Sequence, residues 1–117
     1  MKIKYLGDIT PIPSEKIGIG GAEKLTIRPL VTQADGALTV TMVLLELAPG
    51  GSTPNHSHQR EEEIFVKKGT GLLKYSGKDI PLHSGFVIYL GPNEAHQFVN
   101  TGSEVLELLC VTLIQNV

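Results

Sequence analysis

A chain of 117 residues has the size of one domain, and 41% apolar with 19% charged residues is the composition of a folded globular protein, not a disordered one. Ten basic against twelve acidic residues leave a net charge of −2, so there is no basic field to hold nucleic acid. No run approaches the roughly 18–20 apolar residues of a membrane span, which argues against a membrane partner. The start, Met1-Lys2-Ile3-Lys4-Tyr5-Leu6-Gly7-Asp8, lacks the apolar core of a signal peptide, and the single cysteine, Cys110, excludes an internal disulfide. Both features lead to the expectation of a reducing, cytoplasmic setting.

In chain order, the first 24 residues carry Pro11, Pro13 and Gly18-Ile19-Gly20-Gly21 and read as an N-terminal arm or strands able to pack on a partner. Lys24 to Arg28 alternates and stops at Pro29. Leu38 to Leu47 is long, rich in β-branched residues, and closed by the turn signal Ala48-Pro49-Gly50-Gly51. Glu63 to Lys67 ends at Gly69. Gly71 to Tyr75 and Asp79 to Leu82 flank Ser76-Gly77-Lys78 as a hairpin. Phe86 to Leu90 breaks at Gly91-Pro92-Asn93, His96 to Asn100 is short, and Val105 to Ile114 is a final apolar strand. No amphipathic helix interrupts this series, and about eight to ten short strands at turn-marked spacing predict one all-β domain, a closed sandwich or barrel with its core over residues 38–114.

The chemistry concentrates in Gly50-Gly51-Ser52-Thr53-Pro54-Asn55-His56-Ser57-His58-Gln59-Arg60-Glu61-Glu62. Histidines at i and i+2 of an extended strand share a face, so His56 and His58 can converge on one ion. Within Glu61-Glu62-Glu63, strand alternation sends the middle carboxylate to the face opposite its neighbours, which predicts Glu62 inward and Glu61 and Glu63 in water. Two imidazoles and a carboxylate are the ligand set of non-haem iron and related divalent sites.

Two spaced motifs then carry a resemblance. Gly50-x5-His56-x-His58-x3-Glu62-x6-Gly69 is similar at every defined position to the first signature of the cupin superfamily, and Gly85-x5-Gly91-x-Asn93-x2-His96-x3-Asn100 resembles the second. The family more often has Pro at the place of Gly91 and Gly at the place of Asn93, and Asn is the residue that best replaces Gly at a positive φ. The resemblance implies a double-stranded β-helix, a jelly-roll barrel whose lumen holds one divalent transition metal on His56, His58, Glu62 and His96. Three nitrogens and one oxygen fill four of six octahedral positions and leave two for water, dioxygen or a bidentate substrate; Fe, Mn, Ni, Co and Zn all suit such a set. The family includes dioxygenases, sugar isomerases, decarboxylases and lyases. Three of the four histidines are used as ligands, so the expectation is a small metalloenzyme acting on a small polar substrate, with oxygenase-type chemistry preferred to an isomerase or lyase that needs a separate histidine base. The alternative is a non-catalytic module that binds or senses a small ligand or a metal. The resemblance also implies a homodimer that buries a sheet face and exchanges N-terminal strands.

Other candidates lie outside this set. Cys110 shares a strand face with Leu106, Leu108 and Thr112, and is either an inert buried thiol or a lumen-facing one beside the metal. Tyr89 is a second lumen candidate, and Arg28 and Gln97 are candidates for substrate contact, their orientation left open by the sequence. His83, in Pro81-Leu82-His83-Ser84-Gly85, reads as an exposed turn residue, and Lys67-Lys68 as a solvated strand end.

Overall fold

Short alternating runs punctuated by Gly and Pro favour strands and tight turns over helices, and the chain folds as the expected all-β jelly roll. The computed structural model describes residues 1–114, and residues 115–117 lie outside the described part. The strands are β1 (Ile12–Pro13), β2 (Glu23–Val31), β3 (Val40–Ser52), β4 (Glu62–Lys68), β5 (Thr70–Tyr75), β6 (Lys78–His83), β7 (Val87–Leu90), β8 (His96–Val99) and β9 (Leu106–Leu113). Among the described residues the helical pieces are 3-10 turns at Leu6–Asp8, Ser14–Ile17 and Gln33–Asp35.

All pairings are antiparallel, in the order β6-β5-β8-β3-β9-β4-β7, with β2 on β3 and β1 on β2. The sheet curls into two walls. One is β1-β2-β3-β9-β4-β7 and the other β6-β5-β8, and the far end of β3 joins them through the pair Ser52↔Val99. The join needs a sharp change of direction within one strand. Gly50 supplies it at φ 81°, and a Cβ on Gly51 would lie 2.8 Å from the Ala48 carbonyl and 2.9 Å from that of Glu23. Ala48-Pro49-Gly50-Gly51 therefore bends a strand where the sequence predicts its end. Pro29 likewise fails to stop β2: it pairs with Val43 and the ladder slips between Pro29 and Val31, because a proline is tolerated beside a bulge. The hairpin lies where expected, with Ser76 and Gly77 at φ 51° and 73°, both positive as a type I′ turn requires.

Period-2 alternation then sorts side chains between the walls. Leu25, Leu47, Ile64, Val66, Leu73, Leu82, Leu90, Phe98, Leu106 and Leu108 form one buried cluster with Cys110 at its edge. Burial of such side chains contributes roughly 1.5–3 kcal/mol each. Asn100, 1% exposed, locks the closed end: its side-chain amide donates to the carbonyls of Leu47 and Glu104 (both 2.8 Å), and its oxygen accepts the Gly102 N–H (2.9 Å). The N-terminal arm is tied to its own chain, through Ile12↔Ile27 and Pro13↔Thr26 and through Lys4 on Asp35 (2.6 Å).

Candidate metal centre

The open end of the two walls gathers His56, His58, Glu62 and His96, whose ligating atoms all lie within 4.8 Å of one another. Each comes from a different backbone setting. Glu62 opens β4, opposite Leu90 on one side and Thr112 on the other, and points inward while Glu61 and Glu63 are exposed, as alternation predicts. His96 opens β8 and is 3% exposed. His56 and His58 lie on no strand: Pro54 and the polar residues around it leave residues 53–61 irregular apart from an isolated bridge between His56 and His96. Their convergence comes from loop backbone, not from strand alternation. The His56 N–H donates to the His96 carbonyl (3.2 Å), the His96 N–H to that of His56 (3.0 Å), and the Asn93 N–H to that of His58 (2.7 Å).

The three imidazoles stand edge to face, with centroids 4.9–5.4 Å apart. His58 Nδ1 donates to the Arg60 carbonyl and His96 Nδ1 to the Glu94 carbonyl, both at 2.8 Å. A carbonyl only accepts, so each ring carries its proton on Nδ1 and turns Nε2 toward Glu62 Oε1, at 2.6 Å from His58 and 3.6 Å from His96. Two nitrogen lone pairs and a carboxylate oxygen facing one point need a positive centre, either added protons or a cation. A divalent transition metal fits this donor set, with the outer ring nitrogens already held by carbonyls as metal-ligating histidines require.

The electrostatics agree. Burial pushes the Glu62 carboxyl up, but hydrogen bonding and charge from His96 and His58 outweigh it and leave it below its ordinary value. Burial lowers His96, yet bonds to Glu62 and to the Glu94 carbonyl raise it overall. His56 is lowered by burial and by the neighbouring imidazoles.

Beneath the group lies a cavity of about 140 Å3 whose walls are mostly apolar, including Leu25, Ile27, Val43, Leu45 and Phe98. Cys110 lines it, so the thiol faces the lumen; burial holds its pKa well above the ordinary value, and the charge of Glu62 adds to this, which keeps it protonated and weakly nucleophilic. Tyr89 is not a lumen residue. It pairs with Glu63 on the outer face, is 58% exposed and donates to Glu61 Oε1 (2.5 Å), because β7 aligns Leu90, not Tyr89, with inward Glu62. Arg28 is also outside, bonded to Glu46 (2.8 Å) and the Ile9 carbonyl (2.7 Å). Gln97 donates to the Thr53 carbonyl (2.9 Å), so it holds the histidine loop to β8 instead of reaching the cavity. His83 is exposed as expected, at the end of β6, with its ring against Phe86; Lys67 pairs with Glu107 at 2.9 Å.

Sequence reasoning passes over Thr53, Glu94 and Tyr75. Thr53 Oγ1 accepts the Phe98 N–H (2.8 Å), and Glu94 accepts the Gly91 N–H (2.5 Å) and the Tyr75 hydroxyl. The one signal for Glu94 is its place three residues after a turn glycine. A larger hollow, about 350 Å3, lies on the outer face among Leu6, Ile9, Leu30 and Leu44, and none of the four clustered residues lines it.

A family model described as the cupin domain matches residues 43–112, more than half of the chain. The chain belongs to the cupin family. Its sequence is 34% identical over 113 residues to auxin-binding protein 1 of Arabidopsis thaliana, covering 89% of this chain and 56% of that protein. It is 37% identical over 71 residues to an oxalate-binding protein of Thermotoga maritima, covering 60% of this cupin and 59% of that protein. The chain thus spans little more than half the length of these curated relatives. Among solved structures, the polyketide cyclase RemF from Streptomyces resistomycificus superposes with a TM-score of 0.90 at 29% identity, covering 98% of this chain and 80% of that one. A predicted oxalate decarboxylase from Thermotoga maritima gives 0.82 at 26% identity, over 97% of this chain and 100% of that one.

Proposed function

We propose that this cupin is a mononuclear metalloprotein in which His56, His58, Glu62 and His96 would hold one divalent ion, and the cavity below them takes the apolar body of a small molecule with an oxygen-donor head. The observation that carries this reading is the juxtaposition of four ligand atoms within 4.8 Å with a mostly apolar cavity. The apolar walls favour a less polar substrate than the small polar one expected from the family resemblance, and a volume of about 140 Å3 is small beside the roughly 300–1,000 Å3 of drug-sized sites. Held by His56, His58, Glu62 and His96, a divalent ion would supply a Lewis-acid or redox centre. The chain's own part is to orient the four ligands, strip water from the bound body and keep other acids and bases away. Of the residues lining the cavity, those that titrate are His56, Glu62, His96 and Cys110, and the Cys110 thiol stays protonated. Lacking an independent base, the site favours metal-centred, oxygenase-type turnover over proton-shuttling isomerase or lyase chemistry.

Elemental analysis of the purified protein should find about one divalent metal per chain, and none after His56→Ala with His58→Ala; retained metal would remove the ligand assignment. Oxygen uptake with an apolar-bodied carboxylate or enol, dependent on that metal, supports the enzyme. Similarity to an auxin-binding protein and to an oxalate-binding protein favours a second reading, a non-catalytic binding module. Calorimetry with oxalate and with indole-3-acetic acid, an auxin, separates them: tight binding that returns the ligand unchanged selects the module.

A homodimer is part of the proposal. Phe65, Val87, Tyr89 and Val40 are 42%, 79%, 58% and 46% exposed on the outer face of the larger wall, an apolar surface suited to a second copy. Light scattering should give twice the chain mass, falling to one chain in Val87→Lys; a monomeric wild type at micromolar concentration would sink it.

A further inference from the structure

The turn between β7 and β8 is fastened to the histidine loop, to β5 and to the His96 ring. Asn93, at φ 62°, donates its N–H to the His58 carbonyl at 2.7 Å. Glu94 accepts the His96 Nδ1 proton on its backbone carbonyl at 2.8 Å. One short turn thus holds the backbone of one proposed ligand and the ring of another. The shape of that turn is set in its own right by the Glu94 side chain. Oε2 takes the Gly91 N–H at 2.5 Å, closing the turn from Gly91 to Glu94, and Oε1 takes the hydroxyl of Tyr75, the residue paired with His96 across β5 and β8. One carboxylate oxygen is spent inside the turn and the other on β5, neither on a cation.

The bond to Gly91 exists because residue 91 has an N–H. A proline there would have none. Crowding acts the same way: a Cβ on Gly91 would come within 3.1 Å of Glu94 Oε2, so glycine leaves the carboxylate its seat. Glycine at 91, glutamate at 94 and tyrosine at 75 form one device, and it ends on the two histidines whose Nε2 atoms meet Glu62.

We propose that the Glu94 carboxylate is a positioning group of this centre: by closing the Gly91–Glu94 turn and tying it to Tyr75, it fixes the His96 ring with Nε2 toward Glu62 and holds the His58 backbone in register with it. For its consequence on metal affinity this rests on the metal-centre reading above; the geometry of His96 does not depend on it. Glu94→Ala leaves the Glu94 carbonyl in place and removes only what shapes the turn.

The test uses the full chain and two readouts. In metal-free protein at about pH 8, above the ordinary imidazole range, nitrogen-15 spectra should show wild-type His96 as one tautomer, protonated on Nδ1. Glu94→Ala should give mixed tautomers, and Glu94→Gln, which keeps an acceptor for the Gly91 N–H, should restore the single one. The second readout is Co(II) binding by chelator competition and visible spectrum. Glu94→Ala should weaken affinity by roughly 10–100-fold and shift the spectrum, as loss of a group that orients a ligand does. Tyr75→Phe, which leaves the backbone untouched, should weaken it by roughly 3–10-fold, one ordinary hydrogen bond. A Glu94→Ala protein with wild-type His96 spectra, or with wild-type Co(II) affinity, overturns the proposal. A wild type that binds no Co(II) removes the metal reading instead, and the His96 spectra then decide the turn's role alone.

Discussion

The four candidate ligands come from two segments built in opposite ways. Residues 53–61 carry His56 and His58 on polar, mostly exposed backbone that joins no sheet beyond a single bridge. Residues 91–98 carry His96 from a closed turn into a buried strand, with Phe98 beneath it at 2% exposure and a ring-centroid distance of 6.2 Å from His96. The loop is held chiefly by bonds to the turn and its strand: His56 to His96, His58 to Asn93, and Thr53 to Phe98 and Gln97. Order in the site therefore flows from β8 outward. A rigid strand serves as the template, and a loop that could not fold alone is laid on it.

Damage to the template should accordingly exceed damage to the loop. Phe98→Ala, which opens a cavity under His96, is expected to cost about 3–5 kcal/mol in urea unfolding. A loss below about 1 kcal/mol, the ordinary scale of a point substitution, would mean that β8 is not what the site stands on. The seam between the two segments comes next. Thr53→Val keeps the shape of the side chain and removes the acceptor of the buried Phe98 N–H, at about 1–3 kcal/mol. Faster hydrogen exchange at the Phe98 amide should accompany the loss, and unchanged protection there would break the link between seam and strand.

The same division decides what could be read in the sequence. His56, His58, Glu62 and His96 were legible because two motifs with fixed spacing place them, and the inward choice of Glu62 follows from strand parity within one segment. Tyr89 was misplaced because its face depends on how β7 aligns with β4, and register between strands is a tertiary property. Pro29 and Pro49-Gly50-Gly51 read as stops when considered locally; a bulge and a bend absorb them once β2 and β3 are paired along their length. The carbonyls of Arg60 and Glu94 that orient two rings were beyond sequence reasoning altogether, since every residue has a carbonyl and only the fold says where it points.

A finer contrast compares one exposed residue in each segment. Asn93 holds φ 62° and its N–H on the His58 carbonyl. Asn93→Ala should cost about 1–2 kcal/mol, the strain of a left-handed residue with no local side-chain bond, and Asn93→Gly far less. Ser57, exposed in the loop with no hydrogen bond among the described residues, should tolerate alanine within about 0.5 kcal/mol. Equal effects at the two positions would erase the distinction between template and loop.

The smallest effect expected is in the pH dependence of stability, and its sign differs with and without metal. In metal-free protein the raised pKa of His96 contributes stability that is full below its ordinary 6.5 and lost as pH rises through the raised value. The lowered pKa of Glu62 contributes stability that is full above its ordinary 4.5 and lost as pH falls through the lowered value. Between those two ordinary values both contributions are present, so the metal-free melting temperature should be highest in mildly acidic solution. His56, lowered, binds fewer protons when folded and works against His96 below 6.5, and burial opposes the shifts at both Glu62 and His96, which keeps the maximum shallow. A bound metal reverses the slope, because it competes with protons for the same imidazole nitrogens and holds less well as they titrate. Melting curves from about pH 5 to about pH 8, with a chelator and with excess Zn(II), should fall gently with pH in the first case and rise in the second. Two parallel curves would mean that zinc does not enter through these imidazoles, and His96 would then be a buried histidine held by Glu62 and the Glu94 carbonyl alone.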